Sequence, residues 1–147
     1  MEKTQKQHTV ELLRECNAGV KMGIDAINDA LPHAKNEGLR DLLKEGHRRH
    51  EELGETTHRL LAGYHEGEQK PNSIAVGMSH MKTEWKLTMN PTDAAVAKLI
   101  SEGCSMGIRS LSEYLNCYSS ATDEARDLTE RIIREEERME HCLRPYL

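Results

Sequence analysis

His50, Glu136 and Cys104 are the three side chains of this sequence whose types could do chemistry together. An imidazole facing a carboxylate shares a proton, and a thiol beside them completes a donor set for one divalent metal such as zinc or iron. They lie far apart in the chain, and the reason for grouping them is an internal repeat. Gly19-Val-Lys-Met-Gly23-Ile24 returns as Gly103-Cys-Ser-Met-Gly107-Ile108, an offset of 84 that continues from Ile27 and Leu31 to Leu111 and Leu115. After a small length change the match resumes at an offset of 86, where Arg40-Asp41-Leu42 meets Arg126-Asp127-Leu128. His50 and Glu136 are equivalent at that second offset, each near the middle of the inward face of its helix. Equivalent positions of a pseudo-twofold bundle approach the same central layer, so the two are expected to meet there. Cys104 falls in roughly the same layer, with Glu51 and Glu137 beside it at the rim as further candidate metal ligands.

Gly19, Gly23, Gly103 and Gly107 look onto this layer from the first and third helices, and two uses of them compete. In one, glycines permit close helix packing while His50 and Glu136 satisfy each other as a buried pair that fixes helix register. In the other, the glycines hollow out a notch beside the imidazole, the carboxylate and Cys104. That notch would take one divalent metal or a small polar ligand. No other cofactor is implied.

The elements that must position these residues are helices. Leu13, Cys16, Val20, Ile24, Ile27 and Leu31 recur at helical spacing and predict a first helix from about Thr9, stopped by Pro32. A second helix is predicted from Asn36, a good N-cap, carrying Leu39, Leu42, Leu43, Gly46, His50, Leu53, Thr57, Leu61 and Tyr64 inward to Gly63. Pro91-Thr92-Asp93 starts a third helix with the stripe Val96, Ile100, Cys104, Ile108, Leu111 and Leu115. The fourth runs from about Thr122 with Ala125, Leu128, Ile132, Met139, Leu143 and Tyr146 inward, Glu135 and Glu136 interrupting its apolar stripe. The short link at residues 33–35 makes the first two helices antiparallel neighbours. The division is therefore one domain: a first repeat at about 9–64, a crossover at 65–92 and a second repeat at about 93–147. Within the crossover, Ile74, Met78, Met81 and Trp85 predict a short extra helix across the bundle, and the outward pair Met22 and Met106 predicts a seat for it or a homodimer interface.

Composition narrows the partners. With 147 residues, 31% charged, no Phe and a net charge of -5, the chain suits one narrow aliphatic core and lacks the basic footprint that nucleic acid or an anionic membrane requires. No apolar run reaches membrane-spanning length and residues 1–8 contain no apolar stretch, which predicts a cytoplasmic protein. Cys16, Cys104, Cys117 and Cys142 form no C-x-x-C pair, so free and mostly buried thiols are expected. His47, His58 and His65 share one side of the second helix and are read as a solvated polar face. No nucleophile with an evident base and no phosphate-binding loop can be found, so enzymatic function has little support.

Two antiparallel hairpins, the repeated G-x-x-x-G and M-G-I phrases and one long crossover resemble the ferritin-like superfamily, in particular its small bacterial members. That resemblance covers nearly the whole chain and implies an all-α, ferritin-like four-helix bundle. It further implies a di-iron centre using an inward Glu on each first helix and a Glu-x-x-His on each second. This sequence departs from that ligand set. The first and third helices offer Cys16, Gly19, Val20, Gly23 and Ile100, Gly103, Cys104, Gly107 to the core, and the one literal Glu-x-x-His, Glu55 to His58, faces rim or solvent. The expected function is therefore a binding or interaction module, with a metal-binding or redox protein built on His50, Glu136 and Cys104 as the alternative.

Overall fold

Three short polar side chains set where three of the four helices begin. Asn36 accepts a hydrogen bond from the Leu39 amide at 3.1 Å, Thr92 from Ala95 at 3.1 Å and Thr122 from Ala125 at 3.3 Å, each satisfying an amide left orphaned in a first turn. In the computed structural model, which describes residues 2–64 and 91–147, these caps open α2 (Glu37–Ala62), α3 (Asp93–Cys117) and α4 (Asp123–Leu143). The remaining helix, α1 (Lys3–Ala30), ends at the Pro32 turn, and a matching turn at Pro145 follows α4. Among the described residues there is no strand, and no helix is long and apolar enough to cross a membrane.

The helix α1 starts earlier than the expected Thr9. Its first turns carry no apolar period, but they are held from outside: the Ser120 amide donates to His8 Nδ1 at 3.1 Å and the Thr122 amide to Thr9 Oγ1 at 2.9 Å. These bonds also fix the topology, because they place the start of α1 beside the turn between α3 and α4. At the other end the Lys35 and Asn36 amides donate to the Asp93 carboxylate at 2.7 and 3.1 Å, which places the start of α3 beside the turn between α1 and α2. So α1 and α4 run one way and α2 and α3 the other, with every side-by-side pair antiparallel. Residues 65–90 join opposite ends of the bundle. The extra helix expected over Ile74–Trp85 and the histidine at His65 lie outside the described residues.

The two hairpins reuse one contact at equivalent places. Arg40 donates to the Leu31 carbonyl and Arg126 to the Leu115 carbonyl, each at 3.0 Å, tying the start of a second helix to the end of a first. The core falls into two apolar clusters. One, at the end where α1 turns into α2, gathers Ile27, Leu39, Leu43, Val96, Ile100, Met139 and Leu143. The other, at the opposite end, gathers Leu12, Leu13, Cys16, Leu53, Leu61, Leu111, Leu128 and Ile132. Leu42, Ile108, Leu115, Tyr64 and Tyr146, expected inward, are half-buried instead. Cys16 and Cys104 are buried, whereas Cys142 is half-buried and Cys117 exposed.

Asp93 stitches the α1–α2 turn to α3 with two charge-assisted bonds to backbone amides. Asp93→Ala is expected to lower stability by about 1 to 2 kcal/mol, with Asp93→Asn falling between. Urea unfolding midpoints of the three proteins check this.

Candidate functional site

His50 and Glu136 meet between the two apolar clusters. His50 Nε2 lies 2.5 Å from Glu136 Oε1, and its Nδ1 lies 2.7 Å from the Gly46 carbonyl one turn back. A carbonyl only accepts, so Nδ1 carries a proton. The second bond then needs one more proton, held between Nε2 and the carboxylate: either imidazolium faces carboxylate or neutral imidazole accepts from a carboxylic acid. Both arrangements have the same proton count, so the pair owns one shared proton. Burial alone would push the imidazole down, but the Glu136 hydrogen bond and charge, helped by the Gly46 carbonyl and Glu135, outweigh it and hold His50 above its ordinary value.

Local sequence makes room for this. A Cβ at Gly23 would stand 2.7 Å from His50 Cδ2, so only glycine lets the α1 backbone lie against the ring. Gly46 lies on the other flank, where a Cβ would meet the flexible end of Met139, its Cε at 2.7 Å, and would displace it. Gly107 holds the position equivalent to Gly23 and faces Glu136 as Gly23 faces His50, but more loosely, at 3.7 Å.

Gly19 is different. A Cβ there would touch nothing within 4 Å. It opens onto a cavity of about 80 Å³ between α1 and α3, lined by Gly19, Gly23, Gly103, Cys104 and Gly107, with Met22 and Met106 among the α1 and α3 walls. His50, 1% exposed, and Glu136, 9% exposed, come from α2 and α4 and form the floor with Ile132 and Met139, while Met106 is 40% exposed. The five residues expected to line a notch therefore do share one cavity with the expected pair.

Cys104 is hydrogen-bonded to Glu136, and burial followed by that carboxylate pushes its thiol far above the ordinary range. It stays a thiol and lacks the thiolate that nucleophilic or redox chemistry needs. Cys16 is similar: the single proton of Thr129 goes to the Ala125 carbonyl, so the Cys16 thiol donates to Thr129 at 3.1 Å, and burial pushes it up to about 12.

The rim acids do not join the site. Glu51 is exposed and paired with His47 at 2.8 Å, on the side of α2 that lines a separate open groove with Glu55 and His58, and Glu137 is exposed. Both alternate in sequence with a floor residue, and one step along a helix turns a side chain by about 100°. Among the described residues no group of three His, Cys, Asp or Glu side chains is placed to hold a metal ion.

Two further acids are buried, Glu135 where it interrupts the α4 stripe as expected and Glu15 against expectation. Glu135 is neutralised by a two-pronged bond from Arg138, both prongs at 2.7 Å, with Arg49 at 3.8 Å. Glu15 corrects the expectation that α1 turns no carboxylate to the core. It is 6% exposed, its Oε2 has no hydrogen-bond partner, and burial raises it to about 7 against a lowering hydrogen bond from Tyr114. The signal was present: Leu12, Glu15, Gly19, Met22 and Ala26 form a second helical stripe beside the main one. Because α1 packs on α2, α3 and α4, both stripes are covered.

Compared with family models, with curated proteins and with solved structures, the chain has no match.

Two outcomes follow. Gly19→Ala is expected to stabilise by roughly 0.5 to 1 kcal/mol through helix propensity, whereas Gly23→Ala is expected to destabilise because the His50 ring must move; thermal unfolding of both variants decides. For Glu15, the folded value of about 7 exceeds the ordinary 4.5, so the folded state binds the extra proton and stability falls as pH rises between those values. Glu15→Gln is expected to remove that decline and to be more stable than the parent at pH 8, with the gap closing toward pH 4.5, as read from urea midpoints across the range.

Proposed function

We propose that the protein is a ferritin-like bundle of two related hairpins, without the di-iron ligands, that works as a binding module by taking a small ligand into the notch between α1 and α3. The observation that carries this reading is the space at Gly19. Glycines used only for close packing bring backbones together, as Gly23 does with His50, and leave nothing between them. Gly19 instead faces a hollow whose floor is a hydrogen-bonded acid–base pair. A buried ion pair is a poor source of stability, since apolar residues of similar volume would serve as well or better. Placed at the floor of a cavity it gives a ligand something polar to orient against, the usual plan of an apolar site with a few convergent polar groups.

The ferritin-like part of the reading rests on the direction of the helices and the end-to-end connection at residues 65–90, together with the repeated contacts at Arg40 and Arg126. Metal binding is the weaker alternative. His50 and Glu136 satisfy each other, Cys104 keeps its proton, and Glu51 and Glu137 lie elsewhere.

The test is to label the methionine methyl groups and titrate a mixture of three- and four-carbon alcohols, amines and acids, following the signals by NMR. Saturable shifts confined to Met22, Met106 and Met139 are expected in the parent and should vanish in Gly19→Leu, which fills the hollow. Parent spectra that do not respond would sink the ligand reading. Dependence of the Met106 signal on protein concentration alone would favour a second reading, a homodimer contact, to which its 40% exposure points.

A further inference from the structure

The notch is unequal in what it offers a ligand. Its lining contains no Lys, Arg, Asn or Gln, and every lining residue sits within a helix, where backbone N–H groups are already used. The donors are the Ser110 hydroxyl and two groups already engaged with Glu136, the His50 ring and the Cys104 thiol. Negative charge is concentrated nearby, with Glu136 on the floor and Glu135 and Glu140 close enough to act on Cys104. Arg138 and Arg49 pair with Glu135 and line no part of the notch. An anion would meet acidic surroundings with almost nothing to donate to it. A group rich in N–H donors and positive charge would meet a carboxylate.

Size sets a second limit. About 80 Å³ is roughly half of a ~150 Å³ apolar cavity that takes one benzene, so roughly three or four non-hydrogen atoms fit inside. Met22, Met106, Ile100 and the glycine methylenes suit a short alkyl chain.

Resting on the reading of the notch as a ligand site, we propose that its ligand is a small primary alkylammonium ion, bound to Glu136 in exchange for the proton shared with His50. The balance is simple. The ammonium arrives with its own charge and donates to the Glu136 carboxylate. The shared proton leaves to solvent, Nδ1 keeps its proton on the Gly46 carbonyl, and Nε2 is left with a lone pair that can accept a second ammonium N–H. No covalent bond forms or breaks apart from that N–H. The side chains that act electrostatically on His50 are Glu136 and Glu135 of α4, while Cys104 of α3 lines the same cavity and Gly23 of α1 lies against the ring.

The exchange gives the ligand a signature that neither an alcohol nor a carboxylic acid shares. Below the His50 titration, each ammonium bound releases one proton, so affinity rises about tenfold per pH unit. A neutral alcohol leaves the proton where it is and shows no slope. A carboxylate needs an additional proton beside Glu136 and weakens as pH rises.

The experiment titrates n-propylammonium, n-propanol and propionate separately into the parent protein at pH 5.5 and 6.5. It follows the Met22 and Met106 methyl signals and, by calorimetry in two buffers of different ionisation heat, the proton count. The proposal expects n-propylammonium to bind more tightly than the other two, to tighten five- to tenfold over that unit and to release close to one proton. His50→Gln should bind it without the slope. Tighter or equal binding of propanol or propionate overturns the ammonium assignment while leaving the notch as a ligand site. Ammonium binding with no proton release overturns the exchange. If none of the three moves the methyl signals at millimolar concentration, the ligand site itself fails.

Discussion

The imidazole of His50 occupies the place where a side chain at position 23 would begin, and that exclusion organises the rest of the bundle. Because Gly23 lets α1 lie against the ring, the ring is held from one side by backbone and from the other by the carbonyl of Gly46. Its only remaining polar edge points across the bundle toward α4, where Glu136 meets it. One ring therefore sets the approach of three helices at mid-height. The apolar clusters on either side can be filled with ordinary aliphatic residues because the register between helices is already decided in this layer.

What is unusual is that this layer is not sealed. A pair of ionisable groups taken out of water is stabilised only when each satisfies the other, and His50 with Glu136 does so at short range. Yet the closeness of Gly23 to the ring is not repeated around it: a Cβ at Gly107 of α3 would stand at ordinary contact distance from Glu136, and Gly19 of α1 faces open space. The lower half of the bundle carries a different polar burden in Glu15, unsatisfied at one oxygen and balanced mainly by taking up a proton. Glu136 and Glu15 thus remain in the fold by different means, one through a basic partner and one by taking up a proton.

Much of this was legible in the sequence because helix caps and helical periods are local signals. Asn36, Thr92 and Thr122 mark three helix starts, and the offset of 86 residues pairs His50 with Glu136 from the sequence alone. The departures have separate physical causes. The main stripe of α1 and the small glycine face beside it leave out Leu12, Glu15 and Asn17, which are buried because α1 touches all three other helices. Glu51 and Glu137 were placed at the rim of the layer from sequence adjacency, whereas a helix turns adjacent residues apart. The early start of α1 depends on bonds from residues more than a hundred positions away, which no local pattern contains.

The first hairpin brings a base to the centre, His50, and the second an acid, Glu136. Two identical hairpins brought together by the same geometry would set imidazole against imidazole or carboxylate against carboxylate, and like charges at such a distance repel unless one is neutralised. A complementary pair on the central axis is available only when the two halves differ, and one continuous chain guarantees that each unlike half always finds the other. The connection from the foot of α2 to the head of α3 is thus more than a tether. It keeps base and acid in one molecule, so that the pair forms at the same point in every copy without depending on protein concentration.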